Sequence, residues 1–229
     1  MTTDRPAPAM LTVGVILAGG LSRRMEGPEK SLLTLAGKPL IAHVLERLKP
    51  QVSRVVLNAN DDPERFAELG LPVQPDTVPG NAGPLAGVLA GMRWTQENEP
   101  EIRFVASAAT DTPFFPVDLV EMLAEATQLS EDTIGMAASG GHRHPVFGLW
   151  PVALADDLEA FLDSGQGGKV MRFVERHRLV EVEFPLAGNE DDEAGDPFFN
   201  VNTPRELERA REFAAGLELR IAEGVARDA

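Results

Sequence analysis

The 229-residue chain carries 36 acidic against 21 basic side chains, a formal charge of −15, which repels nucleic acid and anionic lipid; neither is expected as a partner. With no cysteine, a disulfide framework, a thiolate metal site and a cysteine nucleophile are all excluded. No apolar run approaches the roughly 18 residues that cross a bilayer, and Met1–Met10 lacks the charged-then-apolar order of a secretory leader, so a cytoplasmic location is expected.

Residues 1–11, rich in Pro, Ala and Thr, read as a loose tail, 12–220 as one domain and 221–229 as a second tail. Val13–Leu17 is a continuous apolar run, the form of a strand buried on both faces, and it stops at Ala18-Gly19-Gly20. Gly37-Lys38-Pro39 is expected to open a helix with the stripe Leu40, Ile41, Val44, Leu45 and Leu48, ended by Pro50. Arg54–Leu57 reads as the second strand, followed by Asn58-Ala59-Asn60, a small helix near Pro63–Leu69 and a short strand at Pro72–Gln74. After a loop at Gly80–Gly83, Pro84 starts a helix with Leu85, Val88, Leu89 and Met92 on one face. Ile102–Ala106 is another buried strand leading to Thr110-Asp111-Thr112-Pro113, and Pro116–Gln128 a helix. Strands are expected at Ile134–Ala138 and Pro145–Trp150 around a polar Ser139–His144 turn. Helices follow at Ala153–Asp163 and Gly168–His177, then a strand at Leu179–Phe184 and an acidic loop at Asn189–Asp196. Thr203-Pro204-Arg205-Glu206 has capping-box spacing, so a helix should run from there towards Leu219. The alternation implies an α/β fold: a single-domain, Rossmann-like, mostly parallel sheet with helices on both faces. Ligands in such sheets bind at the carboxyl ends of strands, which here are Leu17–Gly20, Asn58, Asp76 and Asp111.

The most informative stretch is Leu17-Ala18-Gly19-Gly20-Leu21-Ser22-Arg23-Arg24-Met25 with Lys30 beyond it. Glycines after a buried strand let backbone approach a ligand, and successive N–H groups there form an anion-binding concavity. Arg23, Arg24 and Lys30 add cations to an otherwise acidic chain, arginine as a planar fork and lysine as a mobile point charge. Phosphate binding is therefore favoured over a solvated basic turn. The glycine spacing fits neither G-x-G-x-x-G nor G-x-x-x-x-G-K-[ST], and Asn58 stands where a dinucleotide fold would place an acid. Asp111, after a strand and before Pro113, is placed to bind Mg²⁺, which takes one or two carboxylates plus phosphate oxygens and water. On its position alone it serves equally well as a turn or cap residue.

Together with Gly37-Lys38-Pro39-Leu40, Asn58-Ala59-Asn60, Gly83-Pro84-Leu85-Ala86-Gly87, Asp111-Thr112-Pro113, His144-Pro145 and Phe199-Asn200-Val201-Asn202-Thr203-Pro204, this stretch resembles the molybdenum cofactor guanylyltransferases. The likeness runs from residue 13 to about 210; the first block is common to many nucleotidyltransferases and the last favours the guanylyl branch. The resemblance implies a nucleotide-diphospho-sugar transferase-like fold and GMP transfer from GTP to molybdenum-molybdopterin. It implies that Leu17, Ala18 and Gly19 line the GTP site, with Gly20, Arg24 and Lys30 at the phosphates and Asn58 and Asp76 holding the nucleotide. The Gly83–Gly87 loop, with Gly83, Pro84 and Leu85, would wrap the guanine side, Asp111 would bind Mg²⁺, and Asn200 and Asn202 would face the pterin. Pro28-Glu29 ahead of Lys30 departs from the family pattern. Implied partners are the molybdenum insertase and the apo-molybdoenzymes or chaperones that receive the product.

An acceptor phosphate oxygen is ionised at neutral pH, so in-line attack on the α-phosphorus needs no general base, and the sequence carries no serine–histidine–acid signature. Alignment and charge neutralisation by Lys30, Arg24 and Mg²⁺ on Asp111 would carry catalysis. His142 and His144 read as surface residues of a polar turn, Glu190–Glu193 with Asp196 as a solvated acidic loop, and Gly167-Gly168-Lys169 as a helix start. The rival readings are a sister enzyme using CTP and, from another class, a non-catalytic nucleotide-binding protein or an NAD(P)-dependent oxidoreductase.

Overall fold

A computed structural model of the chain describes residues 7–18, 34–60, 62–79, 83–166, 169–186 and 195–227, the side chains of residues 166 and 216–227 excepted. Val13–Leu17 lies inside β1 (Thr12–Leu17), where neighbouring residues face opposite ways: Val13 and Val15 pack into one apolar layer, Ile16 and the Gly14 position into the other. β1 pairs in parallel with β4 (Arg54–Asn58) on one side and β6 (Phe104–Ala109) on the other. β5 (Val73–Gln74) extends the sheet beyond β4. On the far side come β8 (His142–Pro151), β7 (Thr133–Ser139) and β9 (Arg178–Glu183), giving the order β5-β4-β1-β6-β8-β7-β9. Only β8 runs against the rest, so the expected mostly parallel sheet is present.

One face is covered by α1 (Leu40–Leu48) and α3 (Leu119–Thr127), through Ile41, Val44 and Leu48 and through Leu119, Val120 and Leu123. The other is covered by α2 (Pro84–Asn98), α4 (Ala155–Phe161) and α5 (Val170–Val174). α2 can lie close to the sheet because it presents glycines: a Cβ on Gly91 would stand 2.2 Å from Val15 Cγ2, and one on Gly87 2.6 Å from Leu17 Cδ2. A third apolar cluster joins Leu35, Leu40, Phe114 and Val201 to Leu207 and Ala210 of α6 (Pro204–Arg227). The expected capping box forms: Glu206 N–H donates to Thr203 Oγ1 at 3.2 Å, and Thr203 N–H to Glu206 Oε2 at 2.8 Å. The helix runs past Leu219 to Arg227, through Arg, Ile, Ala and Glu residues that support helix and into the stretch read as a tail.

Two local expectations are corrected. Lys38 and Pro39 do not belong to a helix: they form β3 (Lys38–Pro39), paired with β2 (Thr34–Leu35) across an Ala36–Gly37 turn with φ of 48° and 77°, and α1 starts at Leu40. The polar turn expected at Ser139–His144 shrinks to Gly140–Gly141, at φ 53° and 76°, the left-handed conformation a two-residue hairpin needs. His142 and His144 are strand residues. They are polar because β6 pairs with β8 only over residues 148–151, leaving residues 142–147 flanked by β7 alone.

Candidate active site

Register brings the site together before any side chain is considered. Leu17 is level with Asn58 on one neighbour and with Ala109 on the other, and Asn58 is level with Gln74. Ala18, Asn58, Asp76 and Asp111 therefore stand at the carboxyl ends of adjacent strands, where crossovers leave β1 in opposite directions, the usual position for a ligand.

On the β4–β5 side the buried Asn58 uses both hydrogens of its amide, one to Gln74 O at 3.1 Å and one to Asp76 Oδ1 at 2.9 Å. Asn60 donates to Asp76 Oδ2 at 2.8 Å and accepts from Asp76 N–H at 2.8 Å. The Asp76 carboxylate is thus aimed by two neutral amides, and its oxygens can accept hydrogen bonds from ribose hydroxyls or base N–H groups. Asn58 Oδ1 lies under α2, where a Cβ on Gly87 would come within 2.3 Å of it. Gly83, at φ 70°, starts α2 at this edge, and the positive end of the 15-residue helix dipole faces the site. Pro84 is exposed, but Leu85 is wholly buried, so only its backbone can meet a ligand.

On the β6 side Asp111 is half-buried, and its Oδ1 lies 3.2 Å from Thr112 Oγ1. Thr112 Oγ1 also donates to Asn200 Oδ1 at 2.6 Å, and Val201 N–H to Asp111 O at 2.7 Å, so the segment before α6 is tied to the strand end carrying Asp111. Asn202 lies two residues on, its N–H donating to Glu206 Oε2 at 2.6 Å. Among the described residues no group of three or more His, Asp or Glu side chains could enclose a metal ion. One carboxylate at a sheet edge suits Mg²⁺, which takes most of its ligands from phosphate and water, and does not suit an all-protein calcium cage.

The structure thus brings Leu17, Ala18, Asn58, Asp76, Gly83, Asp111 and Asn200 to one edge. Gly19, Gly20, Arg23, Arg24 and Lys30 lie outside the described residues. Two residues given no role of their own by the sequence, Asn60 and Thr112, hold Asp76 and Asn200 in place, and Gly87 lets α2 lie against Asn58. Two surface assignments are corrected. His144 is half-buried, stacked on Phe198 with ring centroids 4.3 Å apart. Asp196 is not free in solvent, since it accepts from Ser139 Oγ at 2.7 Å and from Phe198 N–H at 2.8 Å, while Glu190–Glu193 lie outside the described residues. A serine, a histidine and an acid do meet in space, although their spacing concealed it. Burial holds the His144 pKa below its ordinary value against the pull of Asp196, with His142 adding to the depression and Glu183 opposing it.

Asn58, Asp76 and Asp111 gathered at the switch point of a mostly parallel sheet are the frame of an α/β enzyme, and the class is that of the nucleotidyltransferases. Residues 14–182 match the MobA-like NTP transferase domain, and the chain belongs to that family. It is 48% identical to a molybdenum cofactor guanylyltransferase of Bradyrhizobium sp. (strain ORS 278) over 88% of this chain and 92% of the relative. It is 46% identical to one of Rhizobium meliloti (strain 1021) over 94% and 98%. The crystal structure of molybdopterin-guanine dinucleotide biosynthesis protein A from Archaeoglobus fulgidus superimposes with a TM-score of 0.65 at 27% identity, covering 89% of this chain and 99% of that one.

Proposed function

We propose that the chain transfers GMP from GTP to molybdenum-molybdopterin, releasing pyrophosphate and the guanine dinucleotide form of the cofactor. The observation that carries this reading is the register that sets Leu17, Asn58 and Ala109 level on three adjacent strand ends, with Ala18 and Asp111 just beyond them. Its support in sequence is the identity, near half, to guanylyltransferases over most of the chain. A phosphate oxygen of the acceptor attacks the α-phosphorus of GTP; that P–O bond forms as the α–β bridging bond breaks, and pyrophosphate leaves with the electron pair. Because the nucleophile is already anionic, the chain's task is to align it and to offset charge. Asp76, aimed by Asn58 and Asn60, holds the nucleoside, and the Ala18–Gly20 backbone with Arg24 and Lys30 holds the phosphates. Asn200 and Asn202 meet the acceptor. Mg²⁺ held by Asp111 would supply positive charge to the phosphate oxygens.

No helix among the described residues is long and apolar enough to cross a membrane; the proposed setting is the cytoplasm, with a molybdenum insertase upstream and apo-molybdoenzymes or their chaperones downstream. The test is pyrophosphate release with the molybdenum-loaded pterin acceptor and either GTP or CTP. Turnover with GTP and little with CTP is expected; preference for CTP, or release that does not depend on the acceptor, overturns the proposal.

A further inference from the structure

Ser139, His144 and Asp196 come from the last residue of β7, the third of β8 and the segment leading to α6. Ser139 is fully buried. Its Oγ lies 2.7 Å from Asp196 Oδ1 and 2.6 Å from His144 Nε2, whereas Asp196 Oδ2 and His144 Nε2 are 3.9 Å apart. A carboxylate only accepts, so the hydroxyl proton points to Asp196 and the ring donates Nε2–H to Oγ. That order is the reverse of a nucleophilic triad, in which the imidazole must take the hydroxyl proton. With no exposure and its proton committed to a carboxylate, Ser139 is not a nucleophile. The trio is an anchor.

What it anchors is the acceptor side of the site. Asp196 Oδ1 also accepts from Phe198 N–H, and Asp196 O from Phe199 N–H at 3.0 Å. The Phe198 ring fills the space between His144, Phe147 and Phe184, with centroids 4.3, 4.9 and 5.5 Å away. Asn200, two residues on, is bonded to Thr112, and Val201 to Asp111. The segment is therefore fastened at Asp196–Phe198 to the β7–β8 hairpin and at Asn200–Val201 to the end of β6.

We propose that Ser139 and His144 are positioning residues which, through Asp196, set where Asn200 stands beside Asp111 for the acceptor. This rests on the transferase reading above, with Asn200 on the acceptor side. The two residues contact no reacting atom; they act by fixing the strap, and a shift of about 1 Å in a positioned group can cost on the order of 10²-fold in rate.

The experiment compares Ser139→Ala, His144→Phe and the conservative His144→Gln, whose amide can still donate to Oγ. It measures GTP binding without acceptor and kcat/KM for the pterin acceptor at saturating GTP. GTP binding within about two-fold of the parent is expected, with kcat/KM for the acceptor lowered about ten-fold or more in Ser139→Ala and His144→Phe and mostly restored in His144→Gln. In an Asn200→Ala background, Ser139→Ala should cost little further, because the route it acts through is gone; a simply destabilised protein would show additive losses. Parental acceptor kinetics in a folded Ser139→Ala protein, or GTP binding and acceptor kinetics falling together, overturns the inference and leaves the transferase reading intact. An inactive parent overturns the transferase reading and takes the inference with it. Should His144→Phe fail to fold, Ser139→Ala and the double variant still decide.

Discussion

Two carboxylates at the same sheet edge are held in different ways. Asp76, just past β5, is aimed by Asn58 and Asn60, 18 and 16 positions away at and just past the end of β4. Asp196 is held by Ser139, 57 positions away, with His144 behind it. The first clamp uses neutral amides and, in the proposed reading, serves the nucleotide; the second uses an imidazole and, in that reading, governs the approach of the acceptor. Nucleotide binding would then rest on local pairing that forms with the β4–β5 edge, whereas acceptor binding would depend on closing a long loop.

The largest expected effect comes from the centre, where both regions converge. Asp111→Ala should reduce acceptor-dependent pyrophosphate release below detection while the circular dichroism spectrum and melting curve stay near those of the parent. Lys30→Ala should lower kcat by about 10²–10³, as for the loss of one charge-stabilising donor. Near-parental turnover in Asp111→Ala would remove that residue from the chemistry.

A pair of glycine substitutions sharpens the contrast between clamp and core. Gly87→Ala and Gly91→Ala each force a Cβ to within 2.3 Å or 2.2 Å of a neighbour, and each should cost about 1–3 kcal/mol of stability by overpacking. Only the first pushes on Asn58, so only the first should also weaken GTP binding, as read by equilibrium titration. Equal loss of GTP affinity in both would mean that Gly87 matters for packing alone.

The smallest effect is on stability against pH. Burial holds the His144 pKa below its ordinary value of 6.5, with Asp196 and Glu183 opposing and His142 assisting. The unfolded chain therefore binds the proton first. The stability associated with neutral His144 is complete above about 6.5, declines as the pH falls below it, and levels off once the folded-state pKa has been passed. His144→Gln should flatten that acid limb in denaturant titrations; an unchanged slope would show that His144 contributes nothing to it.

How much of this was legible in the sequence depended on whether the governing contacts were local. The apolar run of β1, the Leu85–Met92 stripe of α2 and the Thr203–Glu206 capping box all appear as read, since each rests on neighbours within a turn or on burial of both faces. The hairpins were read less well. Gly140–Gly141 carries the two-residue signal that specifies such turns and Ala36–Gly37 only its glycine, but the strands beside them are short or polar, and the proline of Lys38–Pro39 suggested a helix start. The relation of Ser139 and His144 to Asp196 left no periodicity to find, and the acids preceding Asp196 in sequence favoured a solvated loop. Asn58, Asp76 and Asp111 could be placed at one edge because each follows a strand read from the sequence; Thr112 and Asn60 were passed over because what they do is a relation to other side chains.

The single reversed strand has a consequence for the ground plan of the molecule. A parallel strand leaving this edge must climb into a crossover before the chain can return, which raises a wall beside any bound molecule. β8 comes back after only two residues, Gly140 and Gly141, so the turn adds little height of its own and the strap at Asp196–Phe198 can lie against the hairpin. Lengthening that turn by several residues would crowd the strap and should hinder the larger guest more than the smaller.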